Sequence, residues 1–374
     1  MKSLAKAFRW GTAALAVAAL LGPAAGVASA ATPVTAVVPV TPVSGNEATI
    51  TVGVGEATPA VSPDGGKAYV AAVDGNNQLV LKTVDTQADA VIGQLVLGTW
   101  QGRPFLALSA DGSRLYVLNG LSLTVVDTAS LTALASVTVP DQPRPTGWSA
   151  GSTEGLALSP DGSTLYVAQN GPQTYRQEGQ SRVLEFATAQ RAFTTQVQLT
   201  ASELGSVVVR PGSHDVYVGS SSGVYHLSTA GAAPSLVGVV SGTAAATAGD
   251  YELAFTPDGT RLFTVSGTGT GAGALINPDT DTVTTNLRLL SPDGDLEYPQ
   301  VSADGSRLYL VDNDLTNGPS VLVFDATTGA ALPDETVSGL DESNVDGLAL
   351  GPDGDTMYVT GSTSPNSALQ IINY

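Results

Sequence analysis

The chain has no cysteine and only two histidines, and its 15 Lys and Arg are outnumbered by 34 Asp and Glu in 374 residues. Without a thiol, no disulfide, thiolate metal site or lipid-bearing cysteine is expected. Two imidazoles, His214 and His226, are too few for a histidine-rich zinc site and leave little material for a Ser-His-Asp triad. The acidic balance disfavours nucleic acid and anionic membrane as partners. No phosphate-cradling glycine loop or nucleotide motif is present. Beyond the first residues no apolar run is long enough to span a membrane, so no membrane insertion is expected.

The amino end reads as an export signal. Lys2, Lys6 and Arg9 give a basic start, an apolar run extends from about Gly11 to Leu21, and Ala28-Ser29-Ala30 supplies a small-residue cleavage pattern. Cleavage is expected after Ala30, with residues 1–30 removed and a soluble, secreted, extracellular product. Removal of three basic residues leaves 12 Lys and Arg against 34 acids, a net charge of −22. Such acidity serves colloidal solubility, and it leaves cationic peptides, metal ions and neutral sugars open as ligands. Residues 31–46, ATPVTAVVPVTPVSGN, read as an extended Pro/Thr/Val tether. The remainder, 47–374, reads as one domain.

That domain is a repeat. Leu156 to Val167, LALSPDGSTLYV, predicts a strand, a Pro-Asp-Gly turn and a second strand ending on an aromatic. Related units end at Val70, Val117, Val218, Thr264, Leu310 and Val359, with turns at Asp64, Asp111, Asp161, Gly212, Asp258, Asp304 and Asp353. The period of about 46 to 51 residues suits four-stranded propeller blades and is too long for a small solenoid repeat. An all-β, seven-bladed β-propeller of antiparallel blades is therefore expected. A further SPDG at Ser291 to Gly294 stands too close to the turn at Asp304 to hold a blade and reads as a loop.

Each unit runs inner strand a, SPDG turn, strand b with its aromatic, strand c ending near a VDT-like stretch, then strand d. In the turn, Asp bonds the backbone that follows it and Gly accepts positive φ. The recurring Tyr69, Tyr116, Tyr166, Tyr217, Phe263, Tyr309 and Tyr358 are expected to pack between blades. Asp85, Asp127 and Asp325 are expected to end strand c through side-chain turns. The seventh unit holds only three strands, whereas Ala48 to Val52 predicts a strand with no blade of its own. The amino-terminal strand is thus expected to complete the last blade and close the ring, which removes an open sheet edge.

These units resemble the YVTN family of seven-bladed propellers, whose repeat reads SPDG, then YVTN, then a VxVID-like strand. The resemblance covers residues 47–374. Similar repeats occur in bacterial lactonases, surface-layer proteins and secreted propeller lectins, including lectin subunits of umbrella-shaped toxin particles. It implies the fold and leaves the function open among these classes. The lactonases' channel histidine has no counterpart here.

Topology places the a-to-b and c-to-d turns on one face and the b-to-c and d-to-a connections on the other. The first set is short and uniform; the second holds the irregular sequence, including 141–153 and 169–181, and is the expected working face. Candidate ligand-binding residues there are Trp100, Arg103, Arg144, Trp148, Tyr175, Arg176, Tyr251 and Tyr298. The two Trp and Tyr175 can stack on a sugar or anchor a protein, or simply cap their loops. A second set lies where the inner strands begin: Glu56, Glu154, Glu203, Asp250, Glu252, Glu297 and Asp346 are expected to gather as an acidic ring near the channel. Such a ring could hold calcium, attract a basic peptide, tune a carboxyl for acid-base work, or form only a hydrated rim. The reading favoured is a secreted, non-enzymatic binding propeller, lectin-like or scaffolding, with a glycan or protein partner. The alternative is a lactonase-like hydrolase using carboxylates or calcium in the channel, and a structural role at the cell surface is a third.

Overall fold

The structure is a computed structural model and describes residues 48–374 except 56, 202, 232, 244–250, 267–271, 289–295, 315 and 364–365. The strands bearing the repeated aromatic, such as Arg114–Asn119, Thr164–Gln169 and Arg307–Asp312, are buried after their first residue. A strand with no exposed face must be covered by sheets on both sides, which an apolar run such as LYV tolerates. The outer strands instead alternate, as Ala192–Leu199 does with its exposed Thr194, Gln196 and Gln198. Strands of one unit pair antiparallel in chain order; in blade three these are Thr153–Leu158, Thr164–Gln169, Ser181–Ala187 and Ala192–Leu199. Five such four-stranded sheets and one eight-stranded sheet, which unites blades seven and one, make seven blades.

The hydrophobic core is divided accordingly into seven clusters, each drawn from two adjacent blades. All seven repeated aromatics are buried. The tyrosine hydroxyls explain why Tyr serves where Phe would fill the space: Tyr69 and Tyr116 reach Thr128 and Thr188 of the following blade, and Tyr166 donates to Thr229 Oγ1 at 3.0 Å. Where blade five has Phe263, Arg261 makes the crossing, donating to Ala326 O and Thr327 Oγ1 of blade six. Asp85, Asp127 and Asp325 accept from backbone N–H groups two or three residues on, as expected. The decoy turn at Ser291 to Gly294 lies outside the described residues.

The closing strand runs Ala48–Gly55, longer than its alternating core. Ala48 to Gly53 pair with Ser367–Asn373, the third strand of blade seven, and after an irregularity near Gly53 the last two residues pair with Ala72 and Val73 of blade one. Ile50 and Val52 enter the junction cluster while Thr49 and Thr51 face out. One strand therefore belongs to two blades, which a reading of the repeat alone did not foresee.

Candidate functional site

The inner strands start at the irregular face, and in several blades they start with a bulge. Pairing in blade three skips Glu154 between Thr153 and Gly155, in blade seven it skips Asp346 between Val345 and Gly347, and in blade six it skips Tyr298 and Pro299. An unpaired residue at a bulge is re-aimed out of the sheet. The glycine after each acid is needed for packing: a Cβ on Gly155 would lie 2.9 Å from Val207 N, and one on Gly347 2.3 Å from Thr58 Cα. The recurrent acid-Gly pairs in TEGLAL and VDGLAL are the sequence signal for this arrangement.

The result is a central cavity of about 410 Å³ whose wall includes Arg103, Phe105, Glu154, Glu252, Glu297 and Tyr298. Each carboxylate is positioned. Glu154 Oε1 accepts from Asn170 Nδ2 at 2.9 Å and from Ser152, Glu297 Oε2 accepts from Asn313 Nδ2 at 3.1 Å, and Glu252 accepts from the Tyr298 N–H. Asn170 also accepts from Leu204 N, and Asn313 accepts from Val345 N, so each ties the next blade's inner strand to the site. These asparagines directly follow the aromatic-bearing strand in YVAQN and YLVDN; their spacing is visible in the sequence, and their role comes only from the blade that packs beside them.

Arg103 is the cation of the cavity. Its guanidinium lies 5.0 Å from the Tyr298 ring centroid and 5.6 Å from that of Phe105, and its Nη2 is 3.9 Å from Glu252 Oε1. Its side chain is 45% accessible because it faces the cavity, although protein surrounds it. Burial works against its charge, but Tyr298, Glu252, Glu297 and Glu154 outweigh this and hold it above its ordinary value. Burial raises the Tyr298 hydroxyl strongly, with Arg103 opposing and Glu297, Glu252 and Asp346 assisting. Asp346 is also raised by burial. Tyr298 has φ of 55°, a left-handed backbone uncommon for a bulky residue.

The acids expected at the channel are distributed as follows in the structure. Glu154, Glu252 and Glu297 line the cavity, and Asp346 is within electrostatic reach of Arg103. Glu203 is exposed just before its strand, while Glu56, Asp250 and the side chain of Tyr251 lie outside the described residues. Among the described residues, no three acids or histidines are grouped to hold a metal ion.

The loop candidates form a separate surface beside blade three. A bridge from Ser149 to Gln173 ties the two long loops together, and one from Gln173 to Glu178 closes the second loop on itself. Arg144 pairs with Asp141 and donates to Trp148 O at 3.2 Å. Trp148 is half-buried, Arg176 is exposed, and Tyr175 is 82% exposed. Trp100 is elsewhere, packed against the junction of blades one and two with its Nε1 buried. His214 and His226 do not line the cavity; His226 is held between Asp281, at 2.7 Å, and Asp215, at 3.3 Å, and stacks on Tyr217.

Arg182, only 1% exposed, stands in no motif that marks it in the sequence. It donates to Gln169 Oε1 at 2.9 Å, Gln196 Oε1 at 2.7 Å and Pro140 O, and so pins the first long loop to blade three. Its acceptors diverge in a way a single ammonium cannot match. Arg182→Ala, which strands these acceptors, is expected to destabilise the protein by about 3 kcal/mol, and Arg182→Lys by most of that, in urea unfolding. A loss below about 1 kcal/mol would show that the loop is held by other contacts.

These blades define a seven-bladed β-propeller. No family model matches the chain, and no curated protein matches it. A solved chain of Kuenenia stuttgartiensis hydrazine synthase matches with a TM-score of 0.65 and 18% identity, over 87% of this chain and 97% of that one. At such identity the likeness shows the fold alone. No helix among the described residues is long and apolar enough to cross a membrane.

Proposed function

We propose that this protein is an exported binding propeller of the YVTN type, non-enzymatic, that engages a glycan or a protein through its irregular face. The observation that carries the reading is the convergence of residues from the inner strands of blades two to six around one cavity, each carboxylate already fixed by a donor. A preformed cavity with a few positioned polar groups and aromatic walls is the usual form of a small-ligand site. The adjoining blade-three loops, with Trp148 and Tyr175, add area for a larger partner.

Glycan-array screening and pull-down from culture supernatant should yield a ligand. Trp148→Ala or Tyr175→Ala is then expected to weaken binding by roughly fivefold or more if either is an anchor, and Ser113→Ala, Ser163→Ala or Ser306→Ala on the opposite face to change it little. Equal losses from both faces would refute the choice of face. The raised carboxyl of Asp346 beside the cavity favours a second reading, a carboxylate-dependent lactonase-like hydrolase. Turnover across a lactone panel, abolished by Asp346→Asn, would replace the binding proposal with this one.

A further inference from the structure

Arg103 is held in a way that ordinary structural arginines are not. It makes no hydrogen bond with the described residues; its contacts are the ion pair with Glu252 at 3.9 Å, too long for a direct hydrogen bond, and the faces of Phe105 and Tyr298. A guanidinium fixed for stability is normally engaged by several acceptors, as Arg182 is in this same protein. Two aromatic faces and a carboxylate are instead the elements of a cage for a cation, in which quadrupole attraction and charge both favour a guanidinium. The cage keeps a net negative charge even with Arg103 in place, because Glu154, Glu252 and Glu297 line the same cavity.

We infer that the cavity is a receptor for the guanidinium group of an arginine side chain on another polypeptide, and that Arg103 is its resident, displaceable occupant. This rests on the cavity being a recognition site, as proposed above, and specifies what enters it. A ligand guanidinium would take the slot over Tyr298 beside Glu252, while the half-accessible Arg103 swings into the remaining space. In the empty protein, Arg103 screens three carboxylates that would otherwise repel one another. It also sets a threshold, since an incoming cation must outcompete a tethered one.

Removing a positive charge should strengthen binding of a positive ligand. N-acetyl-arginine amide, titrated calorimetrically at low salt against the full chain, should bind in preference to its neutral isostere N-acetyl-citrulline amide. Arg103→Ala and Arg103→Met should each bind the arginine probe about tenfold tighter than the unaltered protein, through loss of both competitor and like charge. Glu252→Gln should bind it about tenfold more weakly. Circular dichroism and thermal melting establish that each variant is folded, and two replacements at Arg103 guard against one failing to fold. If both replacements leave the affinity for the arginine probe unchanged or weaken it, Arg103 is not a competing occupant and the inference is overturned. Equal affinity for the citrulline probe, or no binding by any of the folded proteins, overturns it as well. A glycan or protein captured through Trp148 or Tyr175 in the presence of a silent arginine probe would leave the broader binding role standing while removing this one.

Discussion

Cutting the chain back through Gly53 should cost the protein its ring, whereas removing residues 1–46 should leave its melting temperature nearly unchanged. The difference lies in the strand Ala48–Gly55, which pairs with Ser367 to Ile371 and reaches on to Ala72 and Val73. Its loss would uncover the edge of blade seven and open the cluster in which Ile50 and Val52 meet Val70, Tyr358 and Leu369. Burial of those two side chains is worth about 3 to 6 kcal/mol, before counting backbone pairing. Against a domain stability of about 5 to 15 kcal/mol that is a large fraction. An uncovered, uncharged strand edge also recruits neighbours. Size-exclusion chromatography and thermal melting of the two truncations test this. A monodisperse longer truncation with unchanged melting would mean that the ring closes without this strand.

Stability should also fall as pH rises from 4.5 to about 7, because of Glu342. This residue lies in the connection from blade six to blade seven; it is 2% exposed, and neither carboxyl oxygen has a hydrogen-bond partner among the described residues. Burial, assisted by the charges of Asp341 and Asp346 and opposed by its own backbone N–H, pushes its pKa from 4.5 up to about 7. The folded protein therefore holds a proton that the unfolded chain releases between those values, and stability declines as pH climbs from 4.5 to 7. The loss is of the order of 3 kcal/mol by pH 8. Glu342→Gln keeps the neutral shape and should abolish the decline, so that it is more stable than the parent at pH 8 and similar at pH 5. The site adjoins the closing seam: Thr49 donates to Asp341, whose N–H donates to Gln370. The SPDG aspartates act at the other end of the scale. Serine or threonine and backbone donors hold Asp111, Asp161, Asp258 and Asp304 at about 2, so their contribution is present above the ordinary 3.8 and is lost as pH falls toward 2. Urea midpoints at pH 5 and pH 8 for both proteins measure the Glu342 effect; parallel values would show that its carboxyl is solvated or paired.

The sequence by itself determined the number of blades, the order of strands within them, the aromatic at each junction and the closing strand. All of these follow from short-range chemistry repeated seven times: an Asp-Gly turn admits few backbone paths, and an LYV strand between polar turns must be covered on both faces. It also marked the inner-strand entrances as acidic. Only the tertiary structure decided which of those acids meet. Glu154, unpaired at a bulge, and Glu252 and Glu297, both within paired strands, line one cavity, whereas Glu203, nine residues before its turn where the others stand six or seven before theirs, is exposed outside it. The same holds for Arg103 over Tyr298, for Arg182 among three neutral acceptors, and for Glu342 alone in the seam. Each depends on contacts between residues far apart in sequence, and a residue's type does not encode whether its neighbours in space will be water, an aromatic face or a carbonyl; that is settled only when the ring closes.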